Sequence, residues 1–179
     1  QAEDGIRDVE RSRGLGDVYK RQDKIEKVLL KEGATFIRKE NQIDTYFSHP
    51  CRDFGLTDEA LRIREVNGEF SLTFKGPRVD RMVKTRREIE VKIEGEIFQL
   101  LRALGFSPFK KIIKERKIYE WRGLILSLDK VENLGFFLEV EGKKISDKEK
   151  ILNFMKKLGI KKNQFVEKSY FELIMEKGV

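Results

Sequence analysis

Residues 61–75 read LRIREVNGEFSLTFK, two alternating runs joined by Asn67-Gly68. In a β-strand, residues i and i+2 share a face, so Arg62 and Arg64 point one way and Leu61 and Ile63 the other. Asn-Gly supplies the two consecutive left-handed residues that a two-residue hairpin turn needs. The stretch therefore predicts an antiparallel hairpin with one packed face and one charged face.

The same logic recurs on both sides of it. Lys84-Thr85-Arg86-Arg87-Glu88-Ile89-Glu90, Lys114-Glu115-Arg116, Ser127-Leu128-Asp129 and Glu139-Val140-Glu141 all alternate charged or polar residues with others. Apolar residues for the packed side stand at Ile89, Val91, Leu126, Leu128, Leu138 and Val140. Strands are predicted at 36–47, 61–65, 69–75, 82–93, 110–121, 124–131 and 135–141. A second tight turn falls at Arg122-Gly123, and a polar loop with Pro50 and Gly55 separates the first two strands. Helices are predicted from Asp23 through Leu29 to a stop at Gly33, and from Ile97 to Gly105. A third opens at a capping box, Ser146-Asp147-Lys148-Glu149, and runs to Gly159. The tail from Glu167 to Glu176 fits a short helix or an edge strand. The class is α+β with an antiparallel sheet.

Composition narrows the function. The 179 residues make one domain with a net charge of +7, which favours an anionic partner. The single cysteine, Cys51, excludes an internal disulfide framework and fits a reducing cytoplasm. No signal-peptide pattern and no apolar run long enough to cross a bilayer is present, so no membrane role is expected. The absence of G-x-x-x-x-G-K-[ST] excludes a P-loop enzyme. Nucleic acid is disfavoured because no RNP-type aromatic motif occurs and the cations are interleaved with carboxylates.

The cations Arg62, Arg64, Lys75, Lys84, Arg86, Lys114 and Arg116 come from different strands, yet alternation lets them face one polar space. Arginine's fork matches phosphate oxygens and lysine adds a point charge. So many like charges call for a highly charged anion, and a triphosphate satisfies them. The carboxylates Glu88, Glu90, Asp129, Glu139 and Glu141 form a second group suited to Mg²⁺ or Mn²⁺. A charged strand face is commonly no more than a solvated surface stitched by cross-strand ion pairs. Repetition along several strands, with cations in excess, argues for a site instead.

The motifs QIDTYF (42–47), DEALRIRE (58–65), LTFKGP (72–77), TRREIEV (85–91), KERKIY (114–119), LDKVENLGFFLEVE (128–141) and KSYFEL (168–173) resemble the CYTH superfamily, the triphosphate tunnel metalloenzymes. HPCRDF (49–54) is most similar to the class IV adenylate cyclase branch, especially its archaeal-type members; thiamine triphosphatases are relatives. The resemblance implies an eight-stranded antiparallel closed barrel around a triphosphate tunnel, with helices packed outside. It implies triphosphate binding by Arg62, Arg64, Lys75, Lys114 and Arg116, with Lys84, Arg86 and Lys168 as additions. Glu88 or Glu90, Asp129, Glu139 and Glu141 would lie on the metal side, and Lys114, Arg116 and Asp129 would be catalytic. The expected activity is conversion of ATP to cyclic AMP and pyrophosphate. Hydrolysis of an inorganic or organic triphosphate, and non-catalytic polyphosphate or nucleotide binding, are the alternatives. A homodimer is left open, and His49 and Cys51 have no expected chemical role.

One departure concerns the start. Residues 1–22, QAEDGIRDVERSRGLGDVYKRQ, resemble translated adapter read-through, and a disordered tail is the alternative. The single CYTH-like domain is thus expected over 23–179. The family's opening strand carries Glu-x-Glu-x-Lys, and alignment back from Asp23 places Leu15, Asp17 and Tyr19 there. Weakened metal binding and low or no activity are expected as a result.

Overall fold

The computed structural model describes residues 5–9, 15–78, 86–142, 147–160, 164–166 and 168–178. In chain order the elements are β1 (Gly5–Val9), α1 (Leu15–Lys31), β2 (Thr35–Ser48), β3 (Ala60–Val66), β4 (Glu69–Arg78), β5 (Arg86–Ile93), α2 (Ile97–Ala103), β6 (Ser107–Trp121), β7 (Leu124–Val131), β8 (Gly135–Glu141), α3 (Lys148–Lys157), β9 (Phe165–Val166) and α4 (Tyr170–Lys177). Two compact units result, one holding Asn41–Ile113 and the other Glu3–Glu40 with Lys114–Val179. The boundary falls inside β2 and β6.

In the first unit the antiparallel ladders run β2-β3-β4-β5. The β3–β4 turn has positive φ at both Asn67 (52°) and Gly68 (83°), the backbone that Asn-Gly was expected to supply. Phe47, Leu61 and Ile63 turn to one face and pack with Leu101 of α2, and Phe70, Leu72, Phe74 and Ile93 complete that layer. α2 ends at Gly105, where Gly105 N–H donates to Arg102 O and Phe106 N–H to Leu101 O. With φ at +88° and Pro50 Cβ only 3.1 Å from where a Cβ would sit, any residue other than glycine would be strained there.

In the second unit the order is β6-β7-β8-β1-β9. Tyr119, Trp121, Leu124, Leu126, Leu128, Leu138 and Val140 form the apolar face and pack against Leu29 of α1 and Ile151, Phe154 and Met155 of α3. Trp121 stacks on Phe154 with ring centroids 4.3 Å apart, and its indole N–H donates to Glu32 O at 2.8 Å. Glu26 of α1 accepts hydrogen bonds from Lys117 Nζ (2.7 Å) and the Tyr119 hydroxyl. Burial pushes the Glu26 carboxyl up, but those two donors and the Lys117 charge outweigh it and hold the pKa below the usual range. A depressed folded-state pKa contributes stability that is present above the unfolded value, about 4.3, and is lost as the pH falls through the folded one. Urea titrations of wild type and Glu26→Gln should therefore differ most near neutrality and converge as the pH drops from about 5 to 3. A gap that stays constant with pH would rule this out.

Three expectations change. Helix α1 starts at Leu15 instead of Asp23; Leu15, Val18 and Tyr19 stand at helical spacing ahead of Ile25, Val28 and Leu29. Asp147 caps α3 with no side-chain hydrogen bond, and Ser146, the other half of the expected capping box, lies outside the described residues. A capping box is found instead at α4, where Ser169 accepts from Glu172 N–H and Glu172 accepts from Ser169 N–H. The antiparallel α+β class holds. Nine strands are described instead of eight, and among the described residues the strand order ends on β5 and β9 with no ladder joining them. Among them, too, no helix is long and apolar enough to cross a membrane.

Candidate functional site

The polar face of the first unit is built by register. Arg64 lies opposite Asp44, Arg62 opposite Thr73, Thr73 opposite Glu90 and Lys75 opposite Glu88. Arg64 grips Asp44 with two parallel bonds, Nε to Oδ1 at 2.7 Å and Nη2 to Oδ2 at 2.8 Å. Arg62, only 6% exposed, donates from Nη2 to Thr73 Oγ1 at 3.2 Å, and Thr73 donates on to Glu90 at 3.0 Å. Its Nη1 stands 3.7 Å from Asp44. The Arg62 Nε is buried and has no hydrogen-bond partner among the described residues. Lys75, equally buried, pairs with Glu88 at 2.9 Å.

The polar face of the second unit carries Lys114 and Arg116 of β6, Asp129 of β7 and Glu139 of β8. Arg116 donates from Nε and Nη2 to the two oxygens of Asp129, at 2.7 and 2.6 Å, and from Nη2 to Glu139 at 2.5 Å. All three are buried. Burial works against the guanidinium charge, yet Asp129 and Glu139 outweigh it and hold the Arg116 pKa well above its ordinary value. Tyr170, the first residue of α4, donates to Asp129 Oδ2 at 2.7 Å. Its ring lies 5.2 Å from Lys114 Nζ and meets Phe137 edge-on at 4.8 Å. Tyr170→Phe should keep both ring contacts and lose about 1–2 kcal/mol with the bond to a buried carboxylate. Tyr170→Leu should lose about 0.5–1 kcal/mol more with the ring. Urea midpoints measure both, and equal values for the two variants would deny the ring its role.

Arg62, Arg64, Lys75, Glu88 and Glu90 therefore gather on one polar face, and Lys114, Arg116, Asp129 and Glu139 on another. Glu141 lies on β8 in the ladder position opposite Ile125, two residues from Glu139. Lys168 is drawn into neither group; it pairs with Glu176 and is 53% exposed. Arg86 stands opposite Arg78 across a register shift, with its side chain outside the described residues, and Lys84 lies outside them altogether. Sequence reasoning assigned no role to Asp44, Thr73 or Tyr170. Alternation in QIDTYF was the available signal for Asp44, and Ser-x-x-Glu at 169–172 was the signal for the helix that presents Tyr170.

The carboxylates do not fit a resident metal as they stand. Among the described residues no three His, Cys, Asp or Glu side chains converge on a metal-holding point. Asp129 and Glu139 are already bridged by Arg116. The strand that could add ligands is β1, which pairs with β8 so that Gly5, Arg7 and Val9 stand opposite Glu141, Glu139 and Phe137. Leu15, Asp17 and Tyr19, aligned with that strand from the sequence, belong to α1. No carboxylate residue therefore occupies the β1 positions opposite Glu139 and Glu141.

Buried cations are interleaved with carboxylates on antiparallel strands of both units. The CYTH domain family matches residues 18–170, and the chain belongs to that family. It is 47% identical over 161 residues to a Methanocaldococcus jannaschii protein named as a candidate adenylate cyclase, covering 85% of this chain and 91% of that one. The solved structure of the PH1819 protein from Pyrococcus horikoshii is 38% identical, with a TM-score of 0.78 and coverage of 97% and 98%. An Arabidopsis thaliana protein named as an inorganic pyrophosphatase is 24% identical over 149 residues, covering 83% of this chain and 21% of that protein.

Proposed function

We propose that the chain acts on a triphosphate and is an adenylate cyclase of the class IV type. The observation that carries this is the gathering of Arg62, Lys75, Lys114 and Arg116, all buried, on polar strand faces, a density of positive groups suited to phosphate oxygens. Arg62 adds a buried donor, Nε, with no partner among the described residues. Arginine forks and lysine point charges would take phosphate oxygens, fix the chain of phosphates and offset charge on the departing group. In cyclisation the ribose 3′-oxygen bonds to the α-phosphorus as the bond to the β-phosphate oxygen breaks. Pyrophosphate departs, and the hydroxyl proton passes to solvent. Likeness to the Methanocaldococcus protein favours this reading. Closure of the strands into the eight-stranded barrel that the family implies is part of the same proposal; dependence on Mg²⁺ or Mn²⁺ is not carried over, since Arg116 bridges Asp129 and Glu139 and β1 sets no carboxylate opposite Glu139 or Glu141.

Hydrolysis of a terminal phosphate is the second reading, favoured by the likeness to the Arabidopsis protein. It needs the same cations and differs in which phosphorus meets the nucleophile. Incubation with ATP and, separately, with tripolyphosphate resolves the two. Cyclic AMP with pyrophosphate establishes the cyclase; orthophosphate alone establishes the hydrolase. Binding without turnover of either substrate overturns both in favour of a non-catalytic binder. A parallel run with Gly5→Glu, Arg7→Glu and Val9→Lys, with and without Mn²⁺, tests whether β1 limits metal-dependent turnover.

A further inference from the structure

We infer that Tyr170, supplied by helix α4 and not by a strand, is a positioning residue for Lys114, holding its ammonium where a phosphate oxygen can meet it. The inference deepens the triphosphate reading and rests on it only for what Lys114 takes. Lysine carries a point charge on a flexible stem, so its place on a polar face has to be set by something else. Lys114 is 4% exposed, and its Nζ lies 5.2 Å from the centroid of the Tyr170 ring, within reach of a cation–π contact. Lys75 and Arg116 meet carboxylates, with which a phosphate has to compete. A ring face restrains a cation from one side and brings no negative charge of its own, leaving N–H donors to turn towards an anion.

The ring is itself fixed. Its hydroxyl donates to Asp129 Oδ2 at 2.7 Å, and Phe137 meets it edge-on. Donation to a carboxylate also polarises the ring towards greater electron density, which strengthens its hold on a cation. The helix behind it is held at both ends. The reciprocal bonds of Ser169 and Glu172 set its first turn, and Lys177 Nζ donates to Asn133 O, in the turn between β7 and β8, at 3.1 Å. Without the ring Lys114 regains rotamers, and part of the energy of anion binding goes into ordering the side chain again.

Tripolyphosphate binding, followed by calorimetry in EDTA, tests this through a double-mutant cycle. Tyr170→Leu should weaken binding about tenfold, and Tyr170→Phe, which keeps the ring, by less than about threefold. In a Lys114→Met background, where no ammonium remains to be placed, Tyr170→Leu should cost less than about twofold. An equal loss in both backgrounds overturns the positioning role, as does Tyr170→Phe binding as weakly as Tyr170→Leu. If Tyr170→Leu does not fold, pentafluorophenylalanine at position 170 serves, since it keeps the shape of phenylalanine and reverses the ring quadrupole. Affinity equal to that of Tyr170→Phe then overturns the role. Failure of wild type to bind tripolyphosphate would sink the triphosphate reading, while NMR of ¹³C-lysine protein still decides the positioning. A ring-shifted Lys114 ε-methylene signal in wild type and Tyr170→Phe, lost in the leucine or fluorinated variant, upholds it; a wild-type signal at the position of an exposed lysine overturns it.

Discussion

Arg62→Met should lower kcat/KM on the chain's triphosphate substrate about 10³-fold while leaving the protein folded. The fold should survive because Asp44 keeps its two-bond grip from Arg64 and Thr73 keeps Glu90. The stability cost is then about 1–2 kcal/mol, from one lost hydrogen bond and some packing. The activity cost is large because the missing group is a buried, permanently charged fork whose Nε has no other partner among the described residues. Arg62→Lys separates charge from shape: lysine restores the charge but not the fork, and about a 10²-fold loss should remain. Steady-state kinetics with ATP and tripolyphosphate, beside a thermal melt, checks both. Activity of Arg62→Met within about threefold of wild type would remove Arg62 from the site.

The second large effect is on stability. Asp129→Ala should cost about 3–5 kcal/mol, because Arg116 keeps only Glu139 and Tyr170 loses its acceptor in a fully buried setting. Asp129→Asn, which retains an acceptor for Tyr170, should cost about half as much. Removing the pair together, Arg116→Met with Asp129→Leu, should recover only part of the loss, since Glu139 still loses Arg116 and Tyr170 its bond to Asp129. Urea unfolding measures all three variants. A double variant as unstable as Asp129→Ala would show that the cluster's worth does not lie in matched charge.

The strands were legible because alternation and turn chemistry act locally. LRIREV and EFSLTFK alternate about a two-residue turn, and nothing distant has to be known to assign their faces. Glycines 33, 105 and 159 stopped helices for the same reason, each taking positive φ where α1, α2 and α3 end. Partners were not legible. Alternation says which face Asp129 and Glu139 occupy but not that Arg116 reaches both, because that depends on the β6-β7-β8 register. Carboxylates expected to await metal are instead held by arginine or lysine: Glu88 by Lys75, Asp129 and Glu139 by Arg116. Helix α1 extends back to Leu15, where Leu15, Val18 and Tyr19 do keep helical spacing but Gln22 interrupts the stripe before Ile25, so the periodicity did not read as one helix. Residues 5–9 carry no strong strand signal either, and it is the edge of β8 that pairs with them.

That last pairing has a consequence for how the chemistry of such a protein can change. β1 lies between β8 and β9 and is joined to both by main-chain ladders. Such bonds join peptide groups, which every residue other than proline supplies alike. A strand held in this way works as an exchangeable cassette. Its letters can be rewritten with the register retained, and each rewriting alters what stands opposite Glu139 and Glu141. The charge carried along that edge of β8 is thereby open to change through five residues while the cation-bearing strands remain untouched.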